Sequence, residues 1–226
     1  MVRTVVTFDV FSALIDSSTG GTSYFRALAE ARSWNVAPGQ VYDRWDAANK
    51  KLHGQVPRWR PFVELAEEAL TAVYAELAVH GDPAADCAGL LESMAQWPLW
   101  PDVTDAALSK IGTRLGLLSN IDDYLLAGTA PLRLGCFDPD LVLTSQRLRA
   151  YKPSPTFYRA AVQRVGPLVH IAASARDVRG AVEAGLPCLR LARTGHQLDP
   201  AGPRPPMTAN TIAQIPAALR SLPYLC

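Results

Sequence analysis

Residues 2–16 read VRTVVTFDVFSALID, and the first half of this stretch decides the fold. Residues 2–8 form a β-branched run with no 3.6-residue repeat, the pattern of a strand buried on both faces of a parallel sheet. The run stops at Asp9, where small and polar residues begin. Further along, apolar residues recur at helical spacing over 24–32, 40–51, 61–80 and 84–96, with no strand among them. The pattern then changes. Helices over 104–110, 124–130, 155–165 and 178–184 alternate with short strands at 114–118, 141–143, 169–173 and 188–191, which predicts an α/β, doubly wound parallel sheet. Strand one belongs to that sheet. The chain therefore divides into a core of residues 1–15 and 102–226 and a helical insertion at 16–101. The proline-rich stretch 194–206 reads as a loop, 211–222 as a terminal helix, and Gly20-Gly21 as a hinge where the insertion begins.

Composition narrows the function. With 22 Lys and Arg against 21 Asp and Glu in 226 residues, no single-sign field is present to attract nucleic acid or an anionic membrane. At 49% hydrophobic residues the chain has the material for a packed core. No apolar run approaches the ~20 residues of a membrane helix, and no signal-peptide pattern opens the chain. Cysteines at 87, 136, 188 and 226 have neither zinc-ligand nor disulfide-framework spacing, so reduced thiols in a cytoplasmic protein are expected. The histidines at 53, 80, 170 and 196 form no ligand pair, and His170 reads as a core or edge residue of its strand.

In an open parallel sheet, ligands bind outside the carboxyl ends of the strands. The residues delivered there are Asp9, then Ser119 and Asn120, then Lys152, then Ser174 and Asp177. Each alone is ordinary: an Asp after a strand caps helices, Ser-Asn makes turns, and Lys-Pro sits in solvated loops. Together they place two carboxylates and one ammonium at one edge. A carboxylate can attack an electrophilic carbon or phosphorus to form an ester that water later cleaves. At about 4 Å and an effective dielectric near 20, one ammonium contributes on the order of 4 kcal/mol, enough to keep one carboxylate ionised beside a second.

These residues lie in FDVFSALID (8–16), LLSN (117–120), YKPSPTFY (151–158) and SARDVRGAVEAG (174–185). In order and interval the four motifs resemble the haloacid dehalogenase (HAD) superfamily and, within it, the 2-haloacid dehalogenase branch. The resemblance implies a Rossmann-like core with an inserted helical cap, and Asp9 as nucleophile. It further implies Lys152 as charge partner, Asp177 directing the hydrolytic water, and substrate contacts from Phe11, Ser12, Ser119, Asn120, Tyr158 and Ser174. Phosphatases of the superfamily carry a second Asp two residues after the nucleophile and an acidic magnesium ligand after strand four. Here those positions are Phe11 and Ala173, so a reaction without metal or other cofactor at carbon is expected.

Departures from the dehalogenase branch also matter. Ala13 stands where the branch has threonine, and Ala172-Ala173-Ser174 where it has Ser-Ser-Asn. The arginine that grips halide follows a tryptophan in the branch. Here Asp46 follows Trp45, leaving Arg44, and behind it Arg58 and Arg60, as candidates. The expected substrate is a small carboxylic acid losing halide or, as in small-ring amino-acid hydrolases of similar build, a ring nitrogen. The alternatives are a magnesium-dependent phosphatase with an atypical site and a catalytically silent HAD fold used for binding. The branch's habits imply a homodimer. Trp45, Trp59, Trp97 and Trp100 are candidates to line a pocket over the site.

Overall fold

A computed structural model describes residues 5–221. Strand β1 (Val5–Phe8) leads into four helices, α1 (Ser17–Arg32), α2 (Pro38–Gln55), α3 (Phe62–Leu77) and α4 (Pro83–Ser93). After α5 (Asp105–Ser109) the chain runs β2 (Leu115–Ser119), α6 (Asp123–Ala127), α7 (Ala130–Arg133), β3 (Phe137–Thr144) and α8 (Ser145–Leu148). It continues through α9 (Pro155–Val165), β4 (Leu168–Ala172), α10 (Ala175–Glu183), β5 (Cys188–Leu191), β6 (Met207–Ala209) and α11 (Ile215–Arg220). Among the described residues no helix is long and apolar enough to cross a membrane.

The six strands form one sheet in the order β3-β2-β1-β4-β5-β6, every neighbouring pair parallel. This is the expected Rossmann-like α/β architecture. Alternation along the strands explains why both faces are covered. Val6 and Phe8 of β1 join an apolar cluster with Leu117, Ile171, Leu189, Ile215 and Leu219, while Val5 faces Leu118, Leu143, Phe157, Val178 and Ala181 on the other side. The first cluster continues without a break through Phe25, Leu65, Leu70 and Leu90 of the four helices that follow β1.

The structure differs from expectation at several boundaries. Residues 2–4 of the expected first strand, and Leu222 and Cys226 at the other end, lie outside the described residues. An edge strand, β6, follows the proline-rich loop and was not expected, because three residues give no periodicity to read. The expected terminal helix resolves into a short 3₁₀ turn at Ile212–Gln214 and then α11.

The Gly20-Gly21 pair is not a hinge. Helix α1 begins at Ser17 because Asp16 caps it, accepting from the Thr19 amide at 3.1 Å and the Thr19 hydroxyl at 2.7 Å. Both glycines then sit inside the helix where two aromatic rings press on the backbone. A Cβ on Gly20 would lie 2.3 Å from Trp97 Cγ, and one on Gly21 2.1 Å from Tyr42 Cδ2. Gly21→Ala is therefore expected to destabilise the protein by about 1–3 kcal/mol, despite alanine's better helix propensity, seen as a lower urea midpoint.

Candidate active site

The carboxyl ends of β1, β2 and β4 meet at one point, and the loop after α8 reaches it. Lys152, 5% exposed, places its ammonium 2.7 Å from Asp9 Oδ1, 2.6 Å from Asp177 Oδ2 and 2.8 Å from the Leu118 carbonyl. All three donor positions are filled, two of them by carboxylates. Burial alone would lower the lysine pKa, but Asp177 and Asp9 outweigh it and hold the value above that of an ordinary lysine.

Asp177 is tied from the other side as well. Tyr158 donates its hydroxyl to Oδ1 at 2.8 Å, and His170 Nε2 lies 3.1 Å from Oδ2. A carboxylate can only accept, so Nε2 carries a proton, and Nδ1 is paired with Thr7 Oγ1 at 3.1 Å. Burial would raise the Asp177 pKa; Lys152 and His170 overcome it and hold the group well below the usual carboxylate range. His170, expected as a packed core or edge residue, is buried and also orients a carboxylate.

Asp9 turns its second oxygen to Ser12, whose hydroxyl donates to Oδ2 at 2.8 Å. That contact needs an unusual backbone. Ser12 has φ = 91°, a value L-residues rarely adopt, and its carbonyl is pinned by the Trp100 indole N–H at 3.0 Å. Asn120 spans two elements: its Oδ1 accepts from the Lys152 amide at 2.8 Å and its Nδ2 donates to the Lys152 carbonyl at 3.1 Å. Ser174 caps α10.

Above this edge lies a cavity of about 100 Å³. Asp9, Phe11, Ser12, Ser119, Asn120, Lys152, Ser174 and Asp177 form its floor, so most of the expected residues are brought together. Helix α2 supplies the opposite wall through Tyr42, Trp45, Asp46, Asn49, Lys50 and His53, a stripe at helical spacing. Of the four indoles, Trp45 and Trp97 line the cavity; Trp59 and Trp100 do not. Phe11 meets Trp97 edge to face at 5.9 Å.

Two expected substrate contacts are corrected. Tyr158 is 1% exposed and does not line the cavity, because its hydroxyl is committed to Asp177. Arg44 points to solvent, with its side chain 57% exposed and 3.6 Å from Glu76, since its place on α2 falls outside the inward stripe. Arg60 is likewise engaged, by Glu64 and Glu68, and Arg58 is absent from the lining. The guanidinium that does line the cavity is that of Arg176, from the first turn of α10, donating to the Lys50 carbonyl of α2. Arg176 lies inside the SARDV motif, and Asn49 and His53 on the α2 face that also carries Tyr42 and Trp45; none of the three was among the expected site residues.

His53 is 6% exposed, stacked on Tyr151 at 4.3 Å, and burial together with Arg176 and Lys50 brings its pKa down to about 3. The folded value lies below the ~6.5 of an unfolded histidine, so His53 costs nothing above that pH. As pH falls from about 6.5 toward 3 it should remove stability at up to about 1.4 kcal/mol per pH unit. Urea unfolding at neutral pH and near pH 5 should show this slope in the wild type and its loss in His53→Gln.

No metal cage is assembled by these side chains: among the described residues no group of three or more His, Cys, Asp or Glu is placed to hold an ion. Comparison with known proteins agrees with the architecture. The L-2-haloacid dehalogenase of Xanthobacter autotrophicus, solved with chloropropionic acid covalently bound, superimposes with a TM-score of 0.80 at 17% identity, over 98% of this chain and 100% of that one. A defluorinating L-2-haloacid dehalogenase gives 0.78 at 25% identity, over 97% and 96%. A putative HAD hydrolase of Bacillus subtilis, solved with magnesium, gives 0.76 at 15% identity, over 96% and 99%. No curated protein matches the sequence. The family described as haloacid dehalogenase-like hydrolase matches residues 4–185, which is most of the chain and includes every motif that forms the floor of the cavity. The chain therefore belongs to the haloacid dehalogenase-like hydrolases.

Proposed function

We propose that this hydrolase displaces a leaving group from carbon of a small carboxylic acid through an ester on Asp9, without a metal ion. Residues 16–101 act as the cap domain over a core of residues 1–15 and 102–226, with α2 as the wall that closes on the substrate. The observation that carries this reading is the position of Lys152. Its ammonium sits within 2.7 Å of the two carboxylates that a divalent ion would need, and Phe11 presents a ring where a general acid would stand. Magnesium asks for near-octahedral oxygen ligands, which this donor set does not offer.

In the first step a lone pair of the Asp9 carboxylate forms a bond to the substrate carbon as the carbon's bond to the leaving group breaks, and the leaving group departs with that electron pair. Ser119, which lines the same cavity as Asp9 and whose Oγ is buried without a partner, receives the substrate carboxylate. In the second step water attacks the ester carbonyl of Asp9, returning the carboxylate, releasing a hydroxy acid and passing a proton to solvent. Asp177 is too strongly held by three donors to be a good base. It directs water through the lone pair left on Oδ1 and keeps Lys152 charged while Asp9 is esterified. The free thiols of Cys87, Cys136 and Cys188 suit a reducing compartment, and we assign the protein to the cytoplasm.

The test is an assay of 2-halo acids and cyclic amino acids with EDTA present, beside a phosphate ester with magnesium. Turnover of a carboxylic acid in EDTA supports the proposal; turnover confined to the phosphate ester with magnesium replaces it with a phosphatase.

A further inference from the structure

Two side chains of α2 that this chemistry leaves idle face the same cavity with unmet hydrogen-bonding capacity. Asn49 and His53 lie one helical turn apart, 4% and 6% exposed, and neither Asn49 Oδ1 nor His53 Nε2 has a partner. Buried polar atoms are nearly always paired, so two orphans on one cavity wall mark where a ligand supplies the missing bonds.

The proton on His53 can be located. The Asn120 amide is held in one orientation by the backbone of Lys152, since turning it over would set its nitrogen against the Lys152 amide and its oxygen against the Lys152 carbonyl. Its Nδ2 therefore faces His53 Nδ1 as a donor, at 3.4 Å. Nδ1 is the bare acceptor nitrogen, and in the neutral ring the hydrogen is on Nε2, the unpartnered nitrogen of a side chain that lines the cavity. Stacking on Tyr151 at 4.3 Å and 3° keeps the ring from swinging away.

Resting on the function proposed above, we infer that His53 is a specificity-determining residue: its Nε2–H, with the Asn49 amide beside it, holds an oxygen of the substrate acid beyond the carboxylate. The preferred substrate is then a small acid bearing a hydroxyl or carboxamide oxygen, not a plain alkyl acid. A hydroxyl accepts from Nε2–H and donates to Asn49 Oδ1. With the Asn49 amide turned over, the same oxygen accepts from both. A halide cannot donate, an ammonium cannot accept, and a methyl group leaves both buried atoms unpaired. Sites built to bond a substrate hydroxyl reject the analogue lacking it for that reason.

The experiment is calorimetric titration with glycerate and lactate, which differ by one hydroxyl and require no turnover. The wild type should bind glycerate at least about tenfold more tightly. His53→Phe, which keeps a ring against Tyr151, should bring the ratio to about one while lactate affinity holds, and His53→Gln, which restores an N–H, should recover part of the preference. A packing role would move both acids together. Equal or absent wild-type binding, or equal loss of both acids in His53→Phe, overturns the inference. Oxygen labelling of Asp9 separates the two claims: label at Asp9 without discrimination removes only the role of His53, and discrimination without label removes only the covalent chemistry.

Discussion

Asp9→Asn is expected to lower turnover by at least about four orders of magnitude while leaving the fold intact. An amide has no charge with which to displace a leaving group, and removing the nucleophile of a covalent mechanism removes the whole pathway rather than one contribution to it. The fold should survive because the ammonium of Lys152 keeps Asp177 at 2.6 Å and the Leu118 carbonyl at 2.8 Å, and the asparagine carbonyl can still accept from Ser12 or Lys152. The measurement pairs single-turnover kinetics with urea unfolding. A variant that is folded and fully active would show that catalysis does not pass through Asp9.

The second large effect is on stability. Lys152→Met leaves Asp9 and Asp177, 6% and 4% exposed, buried together with no ammonium between them. Breaking a buried pair by removing one partner costs about 3–5 kcal/mol, because the charge left behind is neither solvated nor paired. The pH dependence gives the loss a signature. In the wild type the folded pKa of Asp177 is depressed, so its contribution is present above the unfolded value of about 3.9 and fades as pH falls through the lower folded one. Lys152 has a raised folded value, so its contribution is present below an unfolded value of about 10.4 and fades as pH climbs through the higher one. The triad therefore supports a plateau between those limits. In Lys152→Met the Asp177 carboxyl loses the ammonium that holds its pKa down while burial still raises it, and its protonation relieves the repulsion from the neighbouring carboxylate. The two urea-unfolding curves should be far apart at neutral pH and converge toward about pH 4. A constant gap across that range would show that lost packing of the lysine stem, and not charge, carries the effect.

How much of this is written in the chain depends on the range of the interaction. The β-branched run ending at Phe8 and the strand and helix alternation after residue 104 are local patterns, and they led to the parallel sheet and the position of its carboxyl edge. Asp9, Lys152 and Asp177 were legible because each follows a strand that ends at that edge. The roles of Tyr158 and His170 were not: both residues bond Asp177 from behind, across distances in sequence that no periodicity encodes. Gly20 and Gly21 looked like a hinge because the rings of Trp97 and Tyr42 that demand them come from elsewhere in the chain. Arg44 stood out by its neighbour Trp45, yet one position along a helix is a turn of about 100°, and only Trp45 faces inward. The same geometry hid Asn49 and His53, whose spacing from Trp45 continues the inward stripe and whose polarity on that face was the available signal.

The most direct measurement is the fate of oxygen at Asp9. Excess enzyme is incubated in heavy-oxygen water, with EDTA, for one turnover of a pooled set of 2-halo acids and cyclic amino acids, and the peptide containing Asp9 is weighed by mass spectrometry. The ester route predicts heavy oxygen in the Asp9 carboxylate and ordinary oxygen in the first product formed. Heavy oxygen in the product with none in Asp9 would mean that water attacks the substrate directly, which contradicts a covalent role for Asp9.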